Sequence, residues 1–270
     1  MIRTLSLLLL LALPTTPAWA AATPWQDVAP GARLRLISSD VRDADGTTLI
    51  GLELAMPDSF KTYWRLPGES GIPTTFDTAG SEGIASARID WPYPTPEVTQ
   101  GYLDYVYHGE TVLPVRLRLA GPASTLKAAV TMGVCSDVCV PVRASFALPL
   151  SFAAADMAEN IRLRQAEALA PIAWDGAAPP IASAAYDPAI HALRLAAVDP
   201  AIDPASIIAS TADPTVIFDT PQKSPDGRTM VLPLRDKTVG AGWTRSPIQL
   251  TFMTARGSFE TAEQVTAFRP

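Results

Sequence analysis

Cys135 and Cys139 are the two cysteines of this 270-residue sequence, and His108 and His191 are its two histidines. A C-x3-C pair can do two kinds of chemistry. It can close a disulfide that a thiolate reopens, or it can offer soft sulfur to a metal such as Cu(I), with Met132 as a further thioether. A four-cysteine zinc site is impossible here, and a mixed one would need all four of these residues to converge.

The spacing constrains the backbone. Along one continuous strand, residues four apart lie about 13 Å from each other, whereas a disulfide needs Cα atoms within about 7 Å. To join the sulfurs, the chain must reverse over Ser136, Asp137 and Val138, a three-residue hairpin loop. A helical turn is the alternative, but Pro141 and the alternation beyond it oppose that. The bond closes a ring of about five residues, worth roughly 2 kcal/mol on the loop-entropy model. Two readings follow: a passive staple across a hairpin, or a dithiol that opens and closes at an exposed turn.

The elements that must hold this hairpin are strands. Leu126, Ala128, Val130 and Met132 alternate with other residues before the cysteines, and Val142, Ala144, Phe146 and Leu148 do so after them. The same period of two runs through Leu34–Leu36, Ile50–Leu54 and Leu113–Leu119, as expected of half-buried antiparallel strands. Pro114 inside its run implies an edge position or a bulge. One segment has another rhythm: Asp156 is a candidate N-cap with Glu159 three residues on, Met157, Ile161, Gln165 and Leu169 follow at helical spacing, and Pro171 stops the run. Strands resume beyond it. Val112-Leu113-Pro114-Val115-Arg116 returns as Val231-Leu232-Pro233-Leu234-Arg235, a weak internal rhyme. The expected organisation is all-β: a sandwich over 21–152, a helical linker over 153–172 and a second sandwich over 173–270.

Composition agrees. Apolar residues make up 48% and charged ones 18%, enough for a sizeable core. With 26 prolines the chain is a poor helical bundle, and a net charge of −6 argues against nucleic-acid binding. Residues 1–20 read as a secretory signal peptide: Arg3, then an apolar run from Leu5 to Leu13, then Ala18-Trp19-Ala20. No later stretch is long and apolar enough to span a bilayer. Export would place the cysteines where disulfides persist. Glu69, in Gly68-Glu69-Ser70-Gly71, is expected as a loop carboxylate in water.

The cysteine stretch Gly133–Val142 resembles the N-terminal periplasmic domain of the DsbD/ScsB family of thiol:disulfide interchange reductases. Lys61-Thr62-Tyr63-Trp64-Arg65, Pro67-Gly68-Glu69-Ser70-Gly71-Ile72-Pro73, Trp91-Pro92, Gly101-Tyr102 and Val112–Val115 follow in that family's order. The resemblance covers about residues 24–150, with 151–270 as a companion domain. It implies immunoglobulin-like sandwiches, a redox-active pair needing no cofactor or metal, and a periplasmic location. It also implies two kinds of partner, a membrane-embedded thiol reductase and periplasmic thioredoxin-like proteins. Cys139 would form the mixed disulfide and Cys135 would resolve it. A cap loop shields the pair in that family, and 100–107 falls in the corresponding region, which makes Tyr102, Tyr105 and Tyr107 cap or partner-docking candidates. The better-known branch has a longer spacer between its cysteines, so the cap geometry does not transfer directly. The sequence shows no transmembrane or thioredoxin-like part, so it is expected to act with a separate membrane protein.

Two other readings compete. A copper-binding protein would use the same sulfurs, but the Sco-type pattern needs a helix after them and a distant histidine. A non-enzymatic immunoglobulin-like binding module would keep the disulfide as a staple.

Overall fold

The computed structural model describes residues 22–122, 125–224 and 229–269, so the expected signal peptide at 1–20 lies outside the described residues. The first half runs β1 (Gln26–Ala29), β2 (Ala32–Arg42), β3 (Thr47–Ala55), β4 (Lys61–Gly68), β5 (Thr75–Asp77), β6 (Ile84–Ile89), β7 (Thr95–Thr99), β8 (Tyr102–His108), β9 (Thr111–Leu119), β10 (Thr125–Cys135) and β11 (Cys139–Pro149). After α1 (Met157–Glu167) come β12 (Ile172–Ala173), β13 (Ile181–Asp187), β14 (Ala192–Val198), β15 (Ile208–Ser210), β16 (Gln222–Lys223), β17 (Thr229–Pro233), β18 (Ile248–Thr254), β19 (Gly257–Glu263) and β20 (Val265–Ala267).

The strands close into two sandwiches. A five-stranded sheet ordered β1-β2-β3-β9-β6 faces a sheet ordered β11-β10-β4-β8-β7, on which β5 pairs with β10. Between them the alternating residues meet in one core: Leu34, Leu52, Leu113, Leu126 and Leu148 are all buried there. Burying such a side chain contributes about 1.5–3 kcal/mol, which is what turns a period-two pattern into a sandwich. The second half repeats the scheme with sheets β12-β19-β18-β15 and β16-β17-β14-β13-β20 around Leu193, Leu232, Phe218 and Phe252. The chain is all-β: two immunoglobulin-like sandwiches joined by one short helix.

Pro114 sits differently from the expectation. Strand β9 lies between β3 and β6, and its pairing with β3 has no bulge. The proline is tolerated because pairing with β6 stops at Val115. The Pro114 carbonyl, on that same side, accepts the Asp90 N–H at 2.8 Å. Its missing donor therefore falls where the ladder has already ended.

The sequence rhyme has a structural counterpart. In the first half the Asp90 N–H bonds Pro114 O, and the Asp90 carboxylate takes the Arg116 Nε at 3.2 Å. In the second half the Asp219 N–H bonds Pro233 O at 2.7 Å, and the carboxylate takes Arg235 Nη1 at 3.2 Å. A proline follows two residues after each aspartate, at Pro92 and Pro221.

The helix begins as expected and docks by another face. The Asp156 carboxylate accepts from the Ala158 and Glu159 N–H groups at 3.1 and 3.0 Å. The return arm of a capping box is not made, because Glu159 pairs with Arg162 and the Asp156 N–H goes to Ser39 O. Met157, Ile161 and Leu169, the apolar residues of the expected stripe, are 60, 53 and 62% exposed. The helix is anchored instead by Leu163, which packs with Ile37 and Leu49 on the outer face of the β2–β3 pair. Gly51 makes the room: a Cβ there would lie 2.6 Å from Leu163 Cδ2. Arg164–Asp43 and Arg162–Glu53 ion pairs flank the contact.

The two sandwiches touch directly. Ile208 of the second joins the core of the first, Tyr93 Oη donates to Ser206 O at 2.5 Å, and Arg65 reaches Glu260 at 3.1 Å and Thr251 Oγ1 at 2.9 Å.

Two outcomes follow from this packing. Gly51→Ala should cost about 1–3 kcal/mol by overpacking and Leu163→Ala about 2–5 kcal/mol. In denaturant unfolding the double variant should lose clearly less than the sum, because the shortened side chain frees the space that the new methyl needs. Additive losses would mean that the two do not share the slot. The second outcome concerns alkali. Burial raises the Tyr93 phenol to about 12 and holds those of Tyr105 and Tyr107 well above their ordinary value of 10.0. The unfolded chain therefore releases these protons first, and stability is intact below about pH 10 and falls as pH rises beyond it. Unfolding midpoints measured from pH 8 to 12 should drop only above pH 10.

Candidate functional site

The β10–β11 hairpin pairs in unbroken antiparallel register from Thr125↔Pro149 to Cys135↔Cys139. The reversal takes Ser136, Asp137 and Val138, closed by a Ser136 N–H bond to Val138 O. Both cysteines therefore sit opposite each other at the tip, Cα atoms 4.0 Å apart, joined by a disulfide. The three-residue loop read from the spacing is the one observed. The two sulfurs have unequal surroundings: Cys135 is fully buried at 0% exposure, whereas Cys139 is exposed between Val138 at 70% and Val140 at 44%.

Register then carries the site across the sheet. Cys135 pairs with Lys61 of β4, and Lys61 with His108 of β8. Directly paired residues share a face, so Cys139, Cys135, Lys61 and His108 form one row on the outer face. Two residues along, Gly133 faces Pro141, and Tyr63 faces Val106. Tyr63, Val106 and Cys135 make a small buried cluster of their own, on the side of the sheet away from the main core.

Tyr63 is the residue in contact with both sulfurs. Its Oη lies 2.9 Å from Cys135 Sγ and 3.2 Å from Cys139 Sγ. Its ring is held between two positions that have no side chain. A Cβ on Gly71 would come within 2.6 Å of Tyr63 Cδ1, and one on Gly133 within 3.0 Å of Cδ2. Burial, and secondarily the charge of Asp104, raise the Tyr63 phenol above its ordinary value. The group therefore stays protonated at neutral pH and is available as a donor.

A charged network backs this row. Lys61 Nζ lies 2.5 Å from Glu97 Oε1 and 3.8 Å from Asp104 Oδ2, and His108 Nε2 lies 2.8 Å from Glu97 Oε2. Burial, the largest single influence, would lower the Lys61 ammonium, but the bond to Glu97 together with the nearby charges of Glu97 and Asp104 outweighs it and the net shift is upward. That same bond holds Glu97 below the usual carboxylate range. Asp104, only 1% exposed, accepts from the Ser70 N–H at 2.9 Å and from Ser70 Oγ at 2.5 Å. It thereby pins the loop that carries Gly71.

The tyrosines expected around the pair lie elsewhere. Tyr105 and Tyr107 are in the main core, the first edge-on to Trp64 and the second donating to Pro92 O at 2.7 Å. Alternation explains this: on β8 residues 104, 106 and 108 take the outer face, so 105 and 107 point inward. Tyr102 is 53% exposed at the start of β8. Tyr63 stands in the Lys61–Arg65 stretch that carries the family resemblance, and the register of β4 on β10 is what selects it. Among the described residues, no group of three or more His, Cys, Asp and Glu side chains could hold a metal ion. No helix among them is long and apolar enough to cross a membrane.

Comparison with known proteins is consistent with this geometry. No functionally curated protein matches the sequence. The fold is similar to the crystal structure of the N-terminal periplasmic domain of ScsB from Proteus mirabilis, with a TM-score of 0.70 and 20% identity, over 92% of this chain and 100% of that one. Residues 34–151, which contain the hairpin, Tyr63 and the Lys61–His108 row, match the family described as thiol:disulfide interchange protein DsbD, N-terminal.

Proposed function

We propose that the protein is a periplasmic thiol–disulfide exchange module that takes electrons from a membrane-embedded thiol reductase and hands them to oxidised thioredoxin-like partners through Cys135 and Cys139. The observation that carries this reading is the asymmetry of the pair: one sulfur is open to another protein, and its bonded neighbour is sealed against a phenol. A passive staple has no use for that difference. The division into a signal peptide over 1–20, a redox sandwich over 21–152, a helical linker over 153–172 and a second sandwich over 173–270, with export and cleavage after Ala20 or Ala22, belongs to the same proposal.

Reduction proceeds from the exposed side. A thiolate of the donor attacks Cys139 Sγ, the S–S bond breaks, and its electron pair goes to Cys135 Sγ, which leaves as a thiolate. Tyr63 Oη already contacts that sulfur and donates to it as charge develops. The donor's second thiolate then attacks its own sulfur in the mixed disulfide and releases Cys139. The donor dithiol ends as a disulfide, and this pair ends as a dithiol carrying the two protons that the donor gave up. Delivery runs the same steps backwards: the Cys139 thiolate attacks the client disulfide, and Cys135 resolves the mixed disulfide.

Trapping experiments test the roles. Cys135→Ser should accumulate a mixed disulfide with an oxidised thioredoxin-like partner, and Cys139→Ser should not. If neither variant is trapped under any redox poise, the pair is a staple and the reading fails. A hydrogen bond to a charged group is worth about 1.5–3 kcal/mol, so Tyr63→Phe should slow exchange about 10- to 100-fold. Stopped-flow reduction of the disulfide across pH 6–9 would measure it, and an unchanged rate would remove Tyr63 from the chemistry.

A further inference from the structure

Among the described residues, a side chain of the second sandwich reaches toward the site. Arg235, two residues past the end of β17, extends its guanidinium to the first sandwich. There its Nε and Nη2 lie 3.0 and 2.8 Å from Glu69 Oε2, and Nη2 also donates to Gly101 O. Its Nη1 stays with Asp219 at 3.2 Å, in the aspartate–arginine arrangement that both halves share. Glu69 is thus not a loop carboxylate in free water. The same Oε2 accepts the Leu103 N–H at 2.7 Å, while the Glu69 N–H donates to Leu103 O at 3.0 Å.

The loop that Glu69 belongs to is the lid over Tyr63. It leaves β4 at Gly68, where φ is +95° and a Cβ would lie 2.3 Å from Leu103 O, so the tight turn admits only glycine. Ser70 is tied to Asp104, Gly71 lies against the Tyr63 ring, and Ile72 abuts Gly133. A continuous set of contacts therefore runs from Arg235 through Glu69 and Gly71 to the phenol that bonds both sulfurs.

We infer that Arg235 is a positioning residue for the dithiol: by holding Glu69, the second sandwich sets how firmly the 68–72 loop presses Tyr63 onto Cys135 and Cys139. This rests on the exchange role of Tyr63 proposed above, and it gives the companion domain a task in the chemistry.

The test reads the disulfide itself in the full chain. Arg235→Ala should lower the rate of reduction by dithiothreitol about 3- to 30-fold, the range expected for indirect coupling. Arg235→Lys, which keeps a charge on Glu69, should restore part of the rate. Glu69→Gln, which cuts the same link from the other end, should match Arg235→Ala and covers the case in which the arginine variant folds poorly. The discriminating measurement adds Tyr63→Phe: without the hydroxyl, Arg235→Ala and Glu69→Gln should produce no further loss. An unchanged rate in both single variants, or the same fold-loss with and without the Tyr63 hydroxyl, overturns the inference. Since the probe is a small dithiol, the comparison stands even if no partner complex is ever trapped, and that separate result would count only against the exchange role.

Discussion

A phenol wedged between two bare stretches of backbone is the constraint on which the site depends. Tyr63 can bring its hydroxyl to both sulfurs only because Gly133 on the neighbouring strand and Gly71 on the overlying loop leave a slot the thickness of one ring. Each glycine is placed by something larger. Gly133 belongs to a hairpin whose register is locked by eleven paired positions, and Gly71 belongs to a loop folded back by Gly68 and held by the buried Asp104 carboxylate. Sheet geometry, loop conformation and a buried charge therefore converge on one hydroxyl. The large hydrophobic core beneath takes no part in the chemistry but supplies the rigid sheet across which the register is measured.

The two halves use one polar device for different ends. Each has an aspartate whose N–H bonds a proline carbonyl and whose carboxylate takes the arginine two residues beyond that proline. Arg116 has a free arm that engages Glu167 of α1, which fastens the helix to the first sandwich. Arg235 has a free arm that crosses to the other sandwich. With its Nη1 anchored on Asp219, its reach across is shorter and more definite than that of a free surface arginine, whose ion pairs contribute little because the side chain must first be ordered.

Much of this was legible in the sequence, and the failures have a common cause. The hairpin followed from a spacing of four, a proline and alternation on both flanks, all of them local properties. The strands followed from a period of two. What failed needed knowledge of which partner a face meets. The family resemblance makes Tyr105 and Tyr107 cap candidates because they fall in the region of its cap loop, yet the outer face of β8 belongs to the even-numbered residues, and a shift of one reverses every side chain. On the helix, Met157, Ile161 and Leu169 are the more conspicuous apolar set, but docking is decided by a hole at Gly51 that fits Leu163. Tyr63 and Glu69 both stood within the stretches carrying the family resemblance. Their tasks come from contacts 72 and 166 residues away in sequence, which no window on the chain can contain.

The one-sided exposure of the disulfide has a kinetic consequence. With Cys135 sealed and a single sulfur flanked by Val138 and Val140 at the tip, the exchange reading leaves one landing place for donors and acceptors of electrons alike. They must alternate, so turnover on the exchange reading is a ping-pong queue. A visitor that lingered would block the next. On that reading the rim of Val138 and Val140 has both to orient a sulfur for attack and to let its owner go afterwards.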